Sequence, residues 1–378
     1  MKKILFLFPH FILPGGAANS AIRFARGLNE KGHVTEIICA GINNNFLEEN
    51  KDLKFTILPI PHSGTFLYWT LLFFWQFRIN KILSKYPEYI FFPQVLPSNW
   101  WAWIFKLTHK NQKIVWSCNE PSAFIHSKTW IKAIKSPIMR MGATILNPIL
   151  KIIDVSLEKQ NDFVFSNSNY SGLDYEKNYH KKIDAVIYPP SYIKSVPLSK
   201  NKQAYIFTIS RLSKFKNVDV LIEVFARISK KFPSYSLIIA GDGEEKTLLQ
   251  ELVNKKGLES KIKLLGKISD ERLAELYANA RVTALCSRNE PFGLVPVESM
   301  MHGTPVITHK SGGPLETIID GKTGFLYEDE NDLQALLEKM LTLGDEQYKQ
   351  MQQYSQIQAR KFDFSKSIEK LEEIFNKI

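Results

Sequence analysis

Short apolar runs separated by polar, helix-compatible stretches repeat from one end of the chain to the other. In the first half the runs at Ile4–Phe8, Val34–Cys39, Phe55–Leu58, Tyr89–Phe92, Lys113–Ser117 and Phe163–Ser166 predict strands. In the second half the corresponding runs are Tyr205–Ser210, Ser236–Ala240, Ile262–Leu265, Val282–Leu285 and Val306–Thr308. Most are apolar throughout and do not alternate, which marks strands covered on both faces. Between them lie segments of helical spacing, such as Ala21–Leu28 and the helix carrying Val218, Leu221, Ile222 and Phe225 on one side. The pattern predicts an α/β protein with two doubly wound parallel sheets. The proline-rich polar stretch from Tyr188 to Pro197 cannot continue a helix and predicts a hinge, with the domain boundary near residue 190. After Phe364 a serine and apolar residues at helical spacing predict a terminal amphipathic helix.

Length and composition agree with two lobes: 378 residues, 44% hydrophobic and 23% charged, are too many for one compact core and too apolar for a disordered chain. Cys39, Cys118 and Cys286 are far apart and odd in number, so neither a disulfide framework nor a zinc site is expected, and a cytoplasmic setting fits. The basic, apolar opening could pass for a signal peptide, but Pro9 and His10 interrupt it and a helix and strand follow, which favours a strand–loop–helix–strand unit.

Charge is unevenly placed. Residues 1–200 hold 24 Lys+Arg against 13 Asp+Glu and residues 201–378 hold 25 of each, so the whole excess of +11 lies in the first half. Beyond a merely solvated face, this favours an anionic partner there, and an anionic membrane surface or a phosphorylated acceptor suits it better than nucleic acid, for which no motif is present. Two aromatic segments, 66–77 and 91–105 with Trp100, Trp101 and Trp103, are too short to span a bilayer. They read as core helices, with an interfacial membrane patch as the competing reading.

Candidate chemistry gathers at strand ends. Glu290 and Glu298 stand eight positions apart around the Phe292-Gly293-Leu294 turn, before the helix start at Val297 and its glycine stop at Gly303. One carboxylate can hold a ribose and the other a hexose, with the Gly293 and Leu294 N–H groups offered to a diphosphate; a loop Glu and a helix-capping Glu are the plain alternative. Arg211 and Lys216 follow the strand at Tyr205 in a strand-to-helix loop, where two cations suit a leaving diphosphate. Gly241 and Gly243 form a tight turn after a buried strand. Gly266 ends the next strand, so that Lys267 and Ile268 could line a base pocket before a helix capped by Ser269 or Asp270. Near the amino terminus Pro14, Gly15, Gly16 and Ala17 open a helix without the G-x-G-x-x-G pattern, which argues against a dinucleotide enzyme.

Together Gly15-Gly16, Ser210-Arg211 with Lys216, Ala240-Gly241-Asp242-Gly243, Leu265-Gly266, the Glu290-to-Glu298 signature and Gly312-Gly313-Pro314 with Glu316 resemble the retaining glycosyltransferases of family four, over almost the whole chain. The resemblance implies a GT-B fold, two Rossmann-like domains facing across a cleft. An N-terminal acceptor domain of residues 1–190 would be joined by a crossover helix at 362–378, and a nucleotide-sugar domain would span 191–361. It implies that Arg211 and Lys216 neutralise the donor's diphosphate, Glu298 binds ribose and Glu290 meets the transferred sugar. Phe292, Gly293, Leu294, Gly241, Gly266, Lys267 and Ile268 would belong to the donor site, closed over by Gly15 and Gly16.

Two positions depart from the family pattern. Asn217 replaces a glycine, and Asn119 stands where many members carry a histidine beside the reacting carbon. Asn119 can hydrogen-bond but cannot hold a proton as imidazole does; Glu120 and His126 are candidate acceptor contacts. The expected activity is hexosyl transfer from a UDP-, GDP- or ADP-sugar to a glycan or lipid-linked hydroxyl with retention. It would serve surface polysaccharide or glycolipid assembly at the inner face of the cytoplasmic membrane, with no cofactor or metal required. The alternative is a non-catalytic or inverting GT-B nucleotide-sugar-binding protein.

Overall fold

The computed structural model describes residues 1–12, 15–63, 65, 68, 71–120, 123–126, 131, 136–191 and 202–378. It separates into two units, Met1–Pro190 with Ser365–Ile378, and Ser191–Phe364. Most of the predicted hinge, 192–197, lies outside the described residues, as do Pro14, Pro121 and part of the first aromatic segment.

In the first unit β1 (Lys3–Leu7), β2 (Val34–Cys39), β3 (Phe55–Ile57) and β4 (Ile90–Pro93) form a parallel sheet in the order β3-β2-β1-β4. β5 (Val115–Cys118), β6 (Phe163–Ser166) and the short β7 (Ala185–Val186) pair in parallel beside it. A bridge between Phe91 and Ile114 joins the two stretches into one sheet. Successive side chains leave a strand on opposite faces, and the core divides accordingly. Leu5, Leu7 and Phe91 face a cluster containing Trp75, Trp100, Trp101, Trp103 and Leu157. Phe6 and Phe92 face the other way, where Phe24, Phe165 and Phe375 meet the Phe92 ring. Phe375 belongs to the helix Phe364–Lys377, whose buried Ile368, Leu371, Ile374 and Phe375 place it in this unit.

The three tryptophans of the second aromatic segment are therefore interior, at most 3% exposed, and the membrane-patch reading does not apply to them. Each indole N–H has a partner: Trp100 donates to Asp154 (2.5 Å), Trp101 to the Tyr68 hydroxyl (2.7 Å) and Trp103 to Asn161 (2.8 Å).

The second unit holds a single sheet of β8 (Tyr205–Ile209), β9 (Ser236–Ala240), β10 (Ile262–Gly266), β11 (Val282–Leu285), β12 (Val306–His309) and β13 (Gly324–Tyr327) in the order β10-β9-β8-β11-β12-β13. Numbered within the unit this is 3-2-1-4-5-6, the doubly wound order, in which the chain reverses direction across the sheet between β8 and β11. β7 and β13, absent from the sequence expectation, are edge strands: one is two residues long and the other begins at Gly324 with φ +149°.

Just before β8, the buried Lys202 amine donates to the Ala278 carbonyl (2.5 Å) and the Thr304 hydroxyl (2.7 Å). Burial pulls its pKa from 10.5 down to about 7. Between those two values the unfolded chain holds a proton that the folded chain has released, so folding stability rises with pH across that window. Urea denaturation of the wild type and of Lys202→Met is expected to show the wild type gaining stability relative to the variant as pH is raised from neutrality. Parallel curves would contradict the assignment.

Candidate active site

Loops at the carboxyl ends of β8 and β11 flank the point where the second sheet reverses, the position at which open α/β sheets bind ligands. The β8 loop carries Arg211 and Lys216, and the β11 loop carries Glu290. The Lys216 ammonium donates to the Glu290 carboxylate, and both side chains are largely sheltered, 28% and 16% exposed. Asn217, which follows Lys216, lies in the left-handed region at φ 50°, and its side-chain amide donates to the Cys286 carbonyl at the end of β11 (3.1 Å). The departure from glycine thus keeps the backbone conformation and adds a tie between the two loops.

Glycines hold each loop against a neighbour. A Cβ on Gly241, at φ +114°, would lie 1.9 Å from the Ser210 carbonyl oxygen, and one on Gly243 would lie 2.3 Å from that of Leu212. The Arg211 loop is laid along this turn by the Leu212 N–H to Asp242 (2.9 Å) and the Glu245 N–H to Leu212 (3.0 Å). Gly241 and Gly243 therefore allow close approach of the cation loop. On the other side a Cβ on Gly312, at φ +74°, would lie 2.4 Å from the Glu290 carbonyl oxygen, which accepts the Gly313 N–H at 2.7 Å. Phe292 is buried and meets Phe362 edge-on at 5.6 Å, anchoring the loop by packing.

The remaining donor candidates separate into two groups. Gly293, at φ +88°, precedes the helix Leu294–Met301, so this helix begins three residues earlier than the sequence pattern predicts. Glu298 consequently lies in its second turn, 7% exposed, and accepts from the Tyr277 hydroxyl at 3.3 Å; it is neither a solvated cap nor at the helix start. Arg211, by contrast, is exposed and pairs with Glu244 beyond β9 (3.2 Å). Gly266 ends β10 at φ +70°, Lys267 is exposed, and Ile268 packs against the cluster of Tyr205, Phe207 and Tyr277. Ser269 caps the following helix by accepting the Arg272 N–H (3.2 Å).

Sequence reasoning assigned no role to two hydroxyls, although Ser210 stands in the motif quoted for the resemblance. Ser210 Oγ and Ser287 Oγ, just beyond the ends of β8 and β11, are buried without a hydrogen-bond partner. Such groups are uncommon and mark unmet bonding capacity beside the switch point. Strand-end position was the available signal. The buried Cys286 thiol there is pushed up to about 12 by burial, which keeps it protonated and inert.

In the first unit the reversal falls between β1 and β4. There a cavity of about 320 Å³ is lined by His10, Gly15, Gly16, Ser63, Val95 and Leu96 among others. Gly16 opens the helix Gly16–Glu30, whose first N–H groups suit an anion. His10, treated in the sequence only as a break in an apolar run, has a buried Nδ1 without a partner and stands 5.4 Å from the His62 ring. Burial, with His62 beside it, lowers its pKa and holds the imidazole neutral.

Asn119, beyond β5, is half-buried; its side-chain oxygen accepts from Ser117 (3.4 Å) and its carbonyl from Ser171 (2.8 Å). Glu120 is exposed. His126 is placed inward, its side chain 6% exposed and bonded to the fully buried Asp154 at 2.8 Å, which also accepts from Trp100 and from the Tyr179 hydroxyl (2.6 Å). It is a member of a buried polar network, and the structure gives it no surface to offer an acceptor. Among the described residues no group of three His, Cys, Asp or Glu is placed to hold a metal ion.

Residues 192–360 match the family model for glycosyl transferases group 1. The chain is 25% identical over 283 residues to the D-inositol 3-phosphate glycosyltransferase of Corynebacterium urealyticum, covering 68% of this chain and 66% of that one. It is 22% identical over 377 residues to a glycosyltransferase of Haemophilus influenzae, with 98% of each covered. Among solved structures it superimposes with a TM-score of 0.78 and 21% identity on the Anabaena protein HepE in complex with UDP and glucose, over 100% of both chains. The sucrose-phosphate synthase of Thermosynechococcus elongatus gives 0.78 at 19% identity, covering 100% of this chain and 99% of that one. The fold is GT-B.

The glycine contacts generate a test. Gly312→Ala is expected to lower unfolding stability by about 1–3 kcal/mol, the usual cost of forced backbone strain. Gly344→Ala, where a Cβ meets nothing within 4 Å, is the comparison that should change stability far less. Equal urea midpoints for the two variants would show that the Glu290 loop is not braced by Gly312.

Proposed function

This chain of GT-B fold carries a glycosyl transferases group 1 domain over residues 192–360, and we propose that it is a retaining enzyme that moves a hexosyl group from a nucleoside diphosphate sugar to a hydroxyl of a glycan or lipid-linked acceptor. The observation that carries the proposal is the Lys216–Glu290 pair at the switch point of the second sheet. A cation and a carboxylate fixed together there suit a ligand with an anionic half and a hydroxyl-rich half. UDP, which HepE binds in its solved complexes, is the nucleotide we favour, and surface polysaccharide or glycolipid assembly the setting.

In this reading the diphosphate displaces Glu290 from Lys216, and the released carboxylate accepts hydrogen bonds from the sugar. Arg211, on the same loop, exchanges its exposed contact with Glu244 for the same diphosphate. Glu298, held by Tyr277, receives the ribose hydroxyls, and the N–H groups of Gly293 and Leu294 meet phosphate oxygens at a helix start. The acceptor oxygen bonds to the anomeric carbon on the face that the diphosphate leaves. The sugar–phosphate bond breaks with its electron pair on the phosphate oxygen, and that oxygen takes the acceptor's proton. No side chain need be a proton carrier in this step, so an asparagine at position 119, which hydrogen-bonds but holds no proton, is compatible with turnover. Catalysis then rests on positioning and on charge stabilisation of the leaving group, and the two cations supply what a divalent ion would otherwise supply.

Lys216→Ala and Arg211→Ala are each expected to lower kcat/KM by about 10²-fold or more, the scale of removing one preorganised charge contact. Product NMR should show the donor's anomeric configuration, and activity should survive chelation. Wild-type turnover in both variants would sink the site; an inverted product would sink the retaining mechanism alone.

A further inference from the structure

The helix Pro137–Glu158 is apolar on two sides. Leu150, Ile153 and Leu157 join the core beneath it, and Asp154 ties it to Trp100. Yet Met141, Ile145, Leu146, Ile149 and Ile152 stand in solvent, between 54% and 68% exposed. Positions 141, 145, 149 and 152 follow at spacings of four, four and three, so they form one continuous ridge along the helix, with Leu146 beside it. Single exposed aliphatics need no account, whereas a contiguous ridge does.

Charge concentrates in the same part of the chain. Residues 53–153 contain 12 Lys+Arg and two acids, Glu88 and Glu120, which locates nearly all of the chain's +11. On two described helices of this region the cations are Arg78 and Lys81 on Leu72–Leu83 and Arg140 and Lys151 on Pro137–Glu158, and the only acids, Asp154 and Glu158, are buried. The helix Leu72–Leu83, which like Pro137–Glu158 packs on Ser98–Thr108, adds Phe74 and Phe77, 52% and 74% exposed, with the Arg78 guanidinium 5.1 Å from the Phe74 ring centre. Both helices are bonded to Ser98–Thr108, through Gln76 to the Trp101 carbonyl (3.2 Å) and Trp100 to Asp154. They therefore belong to one helical layer over the sheet.

We propose that this layer docks on an anionic lipid bilayer, the aliphatic ridge lying at the headgroup–acyl boundary and the cations facing lipid phosphates. A second copy of the chain would bring two like-charged layers together. Nucleic acid would answer the charge but leave the ridge in water. A bilayer answers both, because a basic helix with an aliphatic face lies in the interface plane. No described helix is long and apolar enough to cross a membrane, so the contact is peripheral. The inference deepens the lipid-linked acceptor reading, but its test needs neither donor nor acceptor, so either can fail without the other.

Flotation of the full chain with vesicles of phosphatidylcholine containing about 30 mol% phosphatidylglycerol, against phosphatidylcholine alone, reads the contact directly. The wild type is expected to float with the anionic vesicles and to be released by high salt. Ile145→Glu with Ile149→Glu, and separately the milder Ile145→Ser with Ile149→Ser, should lower the bound fraction by about tenfold for the charged pair. Both should leave the melting temperature and nucleotide binding unchanged. Wild type that floats with neither vesicle, or a charged pair that floats as well as wild type, overturns the proposal. So does a wild-type dimer that the charged pair splits without any change in flotation, since that assigns the ridge to a second copy.

Discussion

One contact organises the candidate site: the ammonium of Lys216 on the carboxylate of Glu290, made between two loops that leave adjacent strands at the switch point. Neither side chain is well exposed, so each charge depends on the other for the solvation it has lost. That dependence constrains the surrounding backbone. The two loops must keep their separation, and they do so through Asn217 bonded to the Cys286 carbonyl and through glycines at which neighbouring carbonyls leave no room for a side chain. Gly241, Gly243 and Gly312 are thus supports of the charged loops, at positions where a side chain would force the neighbouring backbone apart.

Both units apply the same rule to different chemistry. Each has its chain reversal beside the first strand of its sheet, and each places there a loop leading into a helix start. In the second unit the loops carry charge. In the first, the loop after β1 carries His10, whose imidazole burial keeps neutral, and a glycine helix start, both lining a cavity. The first unit's concavity thus offers a neutral imidazole and helix-start N–H groups, whereas the second unit's edge offers paired charges. The acid–base character expected of a histidine at position 119 is not replaced by His126, which Asp154 holds inside the core.

Strand identity and order of elements were legible because fully buried parallel strands are nearly uniform in apolar character, and both ends of all eleven predicted strands fall within two residues of the observed ones. β13 was not, since its three apolar residues follow the polar turn at Asp320–Thr323 directly and begin on a glycine, which reads as a turn and not as a strand start. The early start of Leu294–Met301 was missed because Pro296 sits inside the motif, where a proline in the first turn of a helix resembles a loop residue. Among candidate residues, the family resemblance assigned Lys216 and Glu290 to one donor site, but the ion pair between them is legible only in the structure. The burial of Phe292 and His126 could not be anticipated, for aromatic residues in loops have the same sequence signature whether they face a ligand or the core. The ridge on Pro137–Glu158 escaped notice for a related reason: its apolar residues satisfy helical periodicity in more than one direction, and only packing shows which of them the core has taken.

The arrangement of charges also bears on selectivity. Arg211 and Lys216 are each matched by a carboxylate on a different loop, Glu244 and Glu290, so neither of these two cations stands unopposed. An incoming anion has to compete with carboxylates already in contact. A singly charged anion gains little by such an exchange, because it replaces one unit of negative charge with another and pays for its own desolvation. A diphosphate brings more charge than either carboxylate, and its attached sugar offers hydroxyls to the Glu290 that it displaces, so the released acid is rebonded and not left buried alone. In the proposed reaction this exchange favours the complete donor over its fragments: phosphate alone strands Glu290, and a free sugar leaves the cations where they were.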